Sequence, residues 1–146
     1  MILKAAWVLP ISGAPLRDGY VQVAGDRIVA MGSVAELGSP PEAVTDLGDA
    51  VLMPGLVNAH AHLELTCYAG RLQPEPLWDW FPKLVRLRRA RGQVEREQQG
   101  VQDGAWQSLR AGVTCVGDIT RRNLNSQVLR TIPIRKVCYV ELLSLA

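Results

Sequence analysis

Histidine is scarce in this chain: His60 and His62 are the only two among 146 residues. A zinc ion takes about four ligands, so this pair alone leaves a coordination shell unfilled. No further imidazole is present to serve as the base for a nucleophilic cysteine. Cysteine is scarce too. Cys67, Cys115 and Cys138 are odd in number and far apart, and no C-x-x-C occurs. That excludes a zinc knuckle and gives no disulfide framework, and three free thiols suit a reducing cytoplasm. Cys115 and Cys138 lie in apolar, strand-like runs, where the thiol acts as a small hydrophobe. No run of about 18 apolar residues occurs, so no membrane span is expected. Nor is a signal peptide expected: Lys4 is followed by too short an apolar stretch, without a cleavage-like site. Charge of one sign is not in excess either. The formal net charge of +2 points to no particular partner. The local run Lys83–Arg91 is basic, but Glu95 and Glu97 follow it. Basic residues at a helix end complement its negative pole, so the run reads as a solvated helix face and not as a nucleic-acid contact. No internal repeat or low-complexity segment is visible.

What is present is the composition of a soluble globular protein, 48% hydrophobic and 21% charged. The chain divides near Met53. Residues 1–53 read as short strands joined by turns: Leu3 to Leu9, Tyr20 to Ala24, Arg27 to Met31, Val44 to Leu47 and Ala50 to Met53. Gly25-Asp26 supplies the tight reversal of a hairpin. From Pro54 strands alternate with helices. Leu56 to His60 reads as a buried parallel strand. Glu75 to Arg89 is helical, with Leu77, Phe81, Leu84 and Val85 at i, i+4, i+7 and i+8. Val94 to Arg110 forms a second helix, with Gln98, Val101, Ala105 and Leu109 on one side, and Gly112 stops it. Val113–Val116, a helix Leu124–Leu129 and Ile134–Val140 follow. Such alternation implies parallel βαβ units with right-handed crossovers, and the fold class is α/β.

His60-Ala61-His62 ends an apolar run that begins at Ala50. On a strand, residues i and i+2 share a face, so both imidazoles aim at one point suited to a divalent metal. The competing reading is a structural, hydrogen-bonded pair. Sites in α/β barrels form at the C-terminal ends of strands, which gathers His60, His62, Glu64, Asp118 and Glu141 at one mouth. Glu64 reads as a substrate contact or a support for the metal ligands, or equally as a solvated loop carboxylate. Asp118, a substrate-binding candidate, and Glu141 both carry weaker claims, because an acid after a strand is more commonly a helix N-cap or loop residue than a catalyst. Trp78 and Trp80 read as core residues of an amphipathic helix.

The run Val51-Leu-Met-Pro-Gly-Leu-Val-Asn-Ala-His-Ala-His-Leu-Glu-Leu-Thr66 resembles the first barrel strand of the amidohydrolase superfamily. It is closest to the branch of cyclic deaminases and chlorohydrolases. Ala6–Pro10 and Asp18–Gly32 are similar to the small β-domain that opens these enzymes, and Gly112–Asp118 resembles their second barrel strand. The resemblance covers nearly the whole chain but only the first part of a family member. It implies a partial β-sandwich over residues 1–53, completed in the family by C-terminal segments. It also implies the first three strand–helix units of a (β/α)8 barrel over residues 54–146, a full barrel taking about 250 residues. The implied metal, zinc with iron as the alternative, is held through His60 and His62. The implied substrate is a small heterocycle, with Glu64, Asp118 and Trp80 as its contacts. The implied reaction is hydrolytic deamination of a purine-like or other amino-substituted heterocycle by a metal-activated hydroxide. The family's remaining ligands and its general acid/base, on later strands, have no counterpart here, so no residue of this chain is assigned a catalytic role. Three alternatives stay open. One is a non-catalytic homologue that oligomerises through its open sheet edge. Another is a triazine-chlorohydrolase or imidazolonepropionase-like hydrolase. The last is a two-chain enzyme completed by another polypeptide.

Overall fold

A computed structural model describes residues 1–40, 42–121 and 123–142. The chain forms two compact units, Met1–Pro54 and Gly55–Ala146.

The first unit is one five-stranded sheet. Strand β1 (Ile2–Val8) lies at its centre, antiparallel to β2 (Leu16–Ala24) and parallel to both β4 (Val44–Asp46) and β5 (Val51–Leu52). Strand β3 (Arg27–Ser33) pairs with β2 through the Gly25-Asp26 reversal, where Gly25 takes φ 60°, a conformation that glycine adopts without a Cβ clash. Ile2, Ala5 and Val8 of β1 and Val21 of β2 are buried. A capping box not anticipated from the sequence follows β3. The Ser33 hydroxyl accepts from the Ala35 N–H, and the Glu36 carboxylate accepts from the Ser33 N–H, which satisfies amides that a short 3₁₀ turn leaves open.

The second unit is a three-stranded parallel sheet in the order β6 (Leu56–Ala61), β7 (Val113–Thr120), β8 (Arg135–Val140). It carries helices α1 (Leu77–Arg88), α2 (Gln93–Arg110) and α3 (Leu124–Leu129), with a 3₁₀ segment, Leu63–Tyr68, directly after β6. The core gathers Leu63, Val101, Ala105, Val116, Leu129, Ile132 and Ile134. The expected α/β alternation is present, and each element falls within two residues or so of its sequence-derived bounds, apart from β2 and β7, each about four residues longer. No described helix is long and apolar enough to cross a membrane.

The expected burial of the first barrel strand is not found. Leu56 and Val57 of β6 are 50% and 68% exposed. The physical reason is pairing on one side only: β6 bonds to β7, and among the described residues nothing pairs with its other edge. A buried parallel strand needs neighbours on both edges and cover on both faces.

Two close approaches depend on missing side chains. A Cβ at Gly117 in β7 would lie 2.5 Å from the Ala59 carbonyl oxygen of β6. On α2, a Cβ at Gly100 would lie 2.7 Å from the Glu64 carbonyl oxygen, and one at Gly104 would meet the Thr66 hydroxyl at 2.5 Å. Helix α2 therefore lies flat on the 3₁₀ segment. Gly117→Ala is expected to destabilise the chain by about 1–3 kcal/mol through overpacking. Gly13→Ala, with nothing within 4 Å of the added carbon, serves as the neutral control. Urea midpoints of the two variants check this.

Candidate functional site

The C-terminal end of β6 departs from a regular ladder. Its register with β7 shifts between Asn58 and Ala61, and the Asn58 side chain accepts the His60 N–H at 3.2 Å. Irregularities of this kind re-aim side chains. His62 has left the strand, with φ −125° and ψ 78°, and opens the 3₁₀ segment. The two imidazoles nonetheless stand side by side, ring centroids 5.4 Å apart and planes at 62°. Two imidazole nitrogens, each about 2.0–2.1 Å from one tetrahedral zinc, place their ring centroids roughly 5 Å apart. The pair thus fits two corners of a metal site. His60 is exposed and His62 half-buried. Among the described residues no cluster of three histidine, cysteine or acidic side chains is assembled, so the fit covers part of a coordination shell.

Beneath the pair lies a buried polar cluster. The Glu64 carboxylate is 3% exposed. Arg88 of α1 donates to its Oε1 at 2.7 Å, and Asn125 of α3 donates to its Oε2 at 3.2 Å. Its Oε1 also lies 3.9 Å from His62 Nδ1. Burial pushes the Glu64 carboxyl above its usual range, and Arg88 and Asn125 pull the other way. Asp118, inside β7, is fully buried. Its Oδ1 accepts the Leu63 N–H at 2.9 Å and its Oδ2 accepts from Asn125 at 2.8 Å, tying β7 to the start of the 3₁₀ segment. Arg88 also reaches Glu97 of α2, Nε to Oε1 at 3.5 Å, and the Tyr68 hydroxyl donates to the same oxygen at 2.9 Å. Burial first, and then the Glu97 hydrogen bond, hold that phenol protonated well above its ordinary range.

Several expectations need correction here. Glu64 is not a solvated loop carboxylate, because α1 and α3 close over it. Asp118 is neither a helix cap nor a loop residue, because β7 continues to Thr120. Trp78 is not core but 82% exposed, while Trp80 on the same helix is half-buried. Neither makes a ring contact with the histidines among the described residues. Glu141 follows β8, and its N–H is held by the Thr120 carbonyl oxygen at 2.8 Å. Arg88 does not belong to a solvated basic face. It sits four residues after buried Leu84 and seven after Phe81, on the inward side of α1, and that spacing was the available signal. Asn125, Glu97 and Tyr68 were not anticipated and carried no comparable pattern.

The architecture is that of the amidohydrolase barrels. The chain superimposes on Helicobacter pylori aminofutalosine deaminase in complex with methylthio-coformycin with a TM-score of 0.83 and 23% identity, covering 99% of this chain and 36% of that one. E. coli guanine deaminase gives a TM-score of 0.67 at 15% identity, over 94% of this chain and 35% of that one. Residues 51–132 match the amidohydrolase family, and the chain belongs to it. A 5-methylthioadenosine/S-adenosylhomocysteine deaminase of Moorella thermoacetica is 30% identical over 121 residues, 82% of this chain and 28% of the relative. An aminodeoxyfutalosine deaminase of Deinococcus radiodurans is 35% identical over 108 residues, 73% of this chain and 24% of the relative. The chain thus spans about a quarter to a third of the proteins it matches. The family is generally metal-dependent.

Arg88→Ala is expected to cost about 3–5 kcal/mol, since it leaves Glu64 and Glu97 partly or wholly buried without their counter-charge. Chemical denaturation against the parent chain checks this, and a loss below about 1 kcal/mol would mean that water replaces the guanidinium.

Proposed function

We propose that this chain is the N-terminal part of a metal-dependent amidohydrolase that hydrolytically deaminates an amino-substituted heterocycle of the adenosine-derivative type. Residues 1–53 contribute to a composite β-sandwich, and residues 54–146 are the first three strand–helix units of the barrel. The observation that carries the reading is the imidazole pair, 5.4 Å between centroids at the C-terminal end of a parallel strand, in a chain of this family. A divalent metal, zinc or iron, would supply Lewis acidity and an activated water at neutral pH. His60 and His62 would hold it. Glu64, buried beneath them, supports the ligands. The strands beyond β8 bring the remaining ligands, the general acid/base and most of the pocket. Trp80 and Asp118 belong to this reading as a wall of the pocket and as a brace of its floor. The free thiols of Cys67, Cys115 and Cys138 suit a reducing compartment such as the cytoplasm.

Zinc titration of the purified chain tests the metal site. Weak, substoichiometric binding is expected after dialysis, and His60→Asn or His62→Asn should each weaken it at least about tenfold, the loss of one ligand from a two-ligand shell. Affinity unchanged in both variants would remove the site. The reaction is tested by joining residues 1–146 to the C-terminal portion of the Moorella thermoacetica deaminase and measuring ammonia release from 5-methylthioadenosine and S-adenosylhomocysteine. Release that disappears with His60→Asn is expected. A folded, metal-loaded hybrid that releases none would overturn the assignment.

A second reading, a self-associating module, draws on the apolar side chains left open on the sheet: Leu56 and Val57 on β6, and Val137, Tyr139 and Val140 on β8. Unpaired strand edges invite pairing with another chain. Light scattering distinguishes it, since a stable dimer that Val57→Lys converts to monomer is expected for this reading and a monomer at all concentrations rejects it.

A further inference from the structure

We propose that Glu64 is a positioning residue for His62, fixing the imidazole in the tautomer that carries its proton on Nδ1 and leaves Nε2 as the free lone pair. The inference deepens the metal reading, because it names which nitrogen of His62 is available to a cation.

The case rests on three features of the second unit. First, Glu64 is the one carboxylate within 4.0 Å of either imidazole among the described residues, with Oε1 3.9 Å from His62 Nδ1. That distance is too long for a hydrogen bond, so the carboxylate acts through its field. A proton on Nδ1 facing the oxygen is attracted, whereas a lone pair there is repelled. Second, the field is fixed in direction. The carboxylate is anchored by Arg88 at 2.7 Å on Oε1 and by Asn125 at 3.2 Å on Oε2, groups from two different helices. Gly100 of α2, pressed on the Glu64 carbonyl, anchors its backbone. A carboxylate so held cannot swing away to water. Third, the other buried acid, Asp118, comes within 4.0 Å of neither imidazole among the described residues, its oxygens accepting from the Leu63 N–H and Asn125. Glu64 alone is therefore placed to bias the ring. A histidine that binds metal through one nitrogen commonly has the other oriented by a carboxylate, and the low dielectric under the pair strengthens such a bias. His60 provides the contrast. It is exposed and has no carboxylate within that distance among the described residues, so its tautomer is left to solvent.

The scarcity of histidine makes the test direct. In an isotope-labelled chain carrying His60→Asn, His62 is the only imidazole, and its two ring nitrogens are read by long-range proton–nitrogen correlation NMR. The measurement is made metal-free, well above the ordinary imidazole pKa of about 6.5. The Nδ1-protonated tautomer is expected in excess on the order of tenfold. In the same background Glu64→Gln is expected to lower that excess several-fold, and Glu64→Asp, which keeps the charge, to retain much of it. An equal mixture or an Nε2-protonated ring in the Glu64 chain overturns the inference, as does a ratio that Glu64→Gln leaves unchanged in a folded protein. If Glu64→Gln does not fold, the ratio in the Glu64 chain decides alone. Since no metal is used, failed zinc binding with the Nδ1 tautomer intact removes only the metal reading.

Discussion

A carboxylate taken out of water must be compensated from several sides, and the interior of the second unit is arranged around that demand. Glu64 lies in the first turn of the 3₁₀ segment that follows β6, two residues after His62. Its burial is tolerable only because Arg88 and Asn125 arrive from α1 and α3. Arg88 in turn brings in Glu97 of α2, and Asn125 brings in Asp118 of β7. Desolvating one such charge costs several kcal/mol, and well-made partners are needed to offset it. The cluster therefore specifies the mutual placement of five elements, the 3₁₀ segment included, more tightly than apolar packing does, since a guanidinium displaced by an ångström or two leaves two acids uncompensated. The imidazoles inherit this placement through the short 3₁₀ segment.

The sheet's parallel order explains why the histidines lie where they do. Parallel strands all end on one side, and β6, β7 and β8 deliver His62, Asp118 and Glu141 there without any sequence-local relation among them. The same order accounts for the open edges. Among the described residues the three parallel strands expose one edge at each flank, and the chain covers 36% of the aminofutalosine deaminase on which it superimposes. The apolar exposure of β6 and β8 is the physical counterpart of that partial coverage.

The elements were legible because their signals are local. The run Val113–Val116, the helical spacing of Leu77, Phe81 and Leu84, and the Gly25-Asp26 reversal each follow from a few adjacent residues. The H-x-H pair was legible for the same reason, as strand alternation puts i and i+2 together, and the rings do stand together even though His62 lies past the strand end. What could not be read were pairings across the sequence. Arg88 looked like one more cation in a basic run until Glu64 and Glu97 were seen on either side of it, and Asn125 offered no pattern at all. The apolar run gives way at Gly117, which puts Asp118 at the tip of a strand ending at Val116 as a weak substrate-binding candidate, whereas β7 runs on to Thr120 and buries it. That glycine marks the crossing point with β6 and not a terminus. Trp78 was misplaced because an aromatic on an amphipathic helix is ordinarily turned inward, whereas α1 turns Leu84 and Arg88 inward and leaves Trp78 outside.

The flat contact between α2 and the 3₁₀ segment has a consequence for how the chain organises. Gly100 and Gly104 each lower the intrinsic tendency of α2 to be helical by about 1 kcal/mol relative to alanine, and most helical stability in a folded protein comes from packing of one face. Helix α2 gains its stability by docking, and the segment it docks on is the one that orients His62. The two therefore depend on one another as a unit, so the spacing of the imidazoles reports on completed tertiary structure and not on the strand that bears His60.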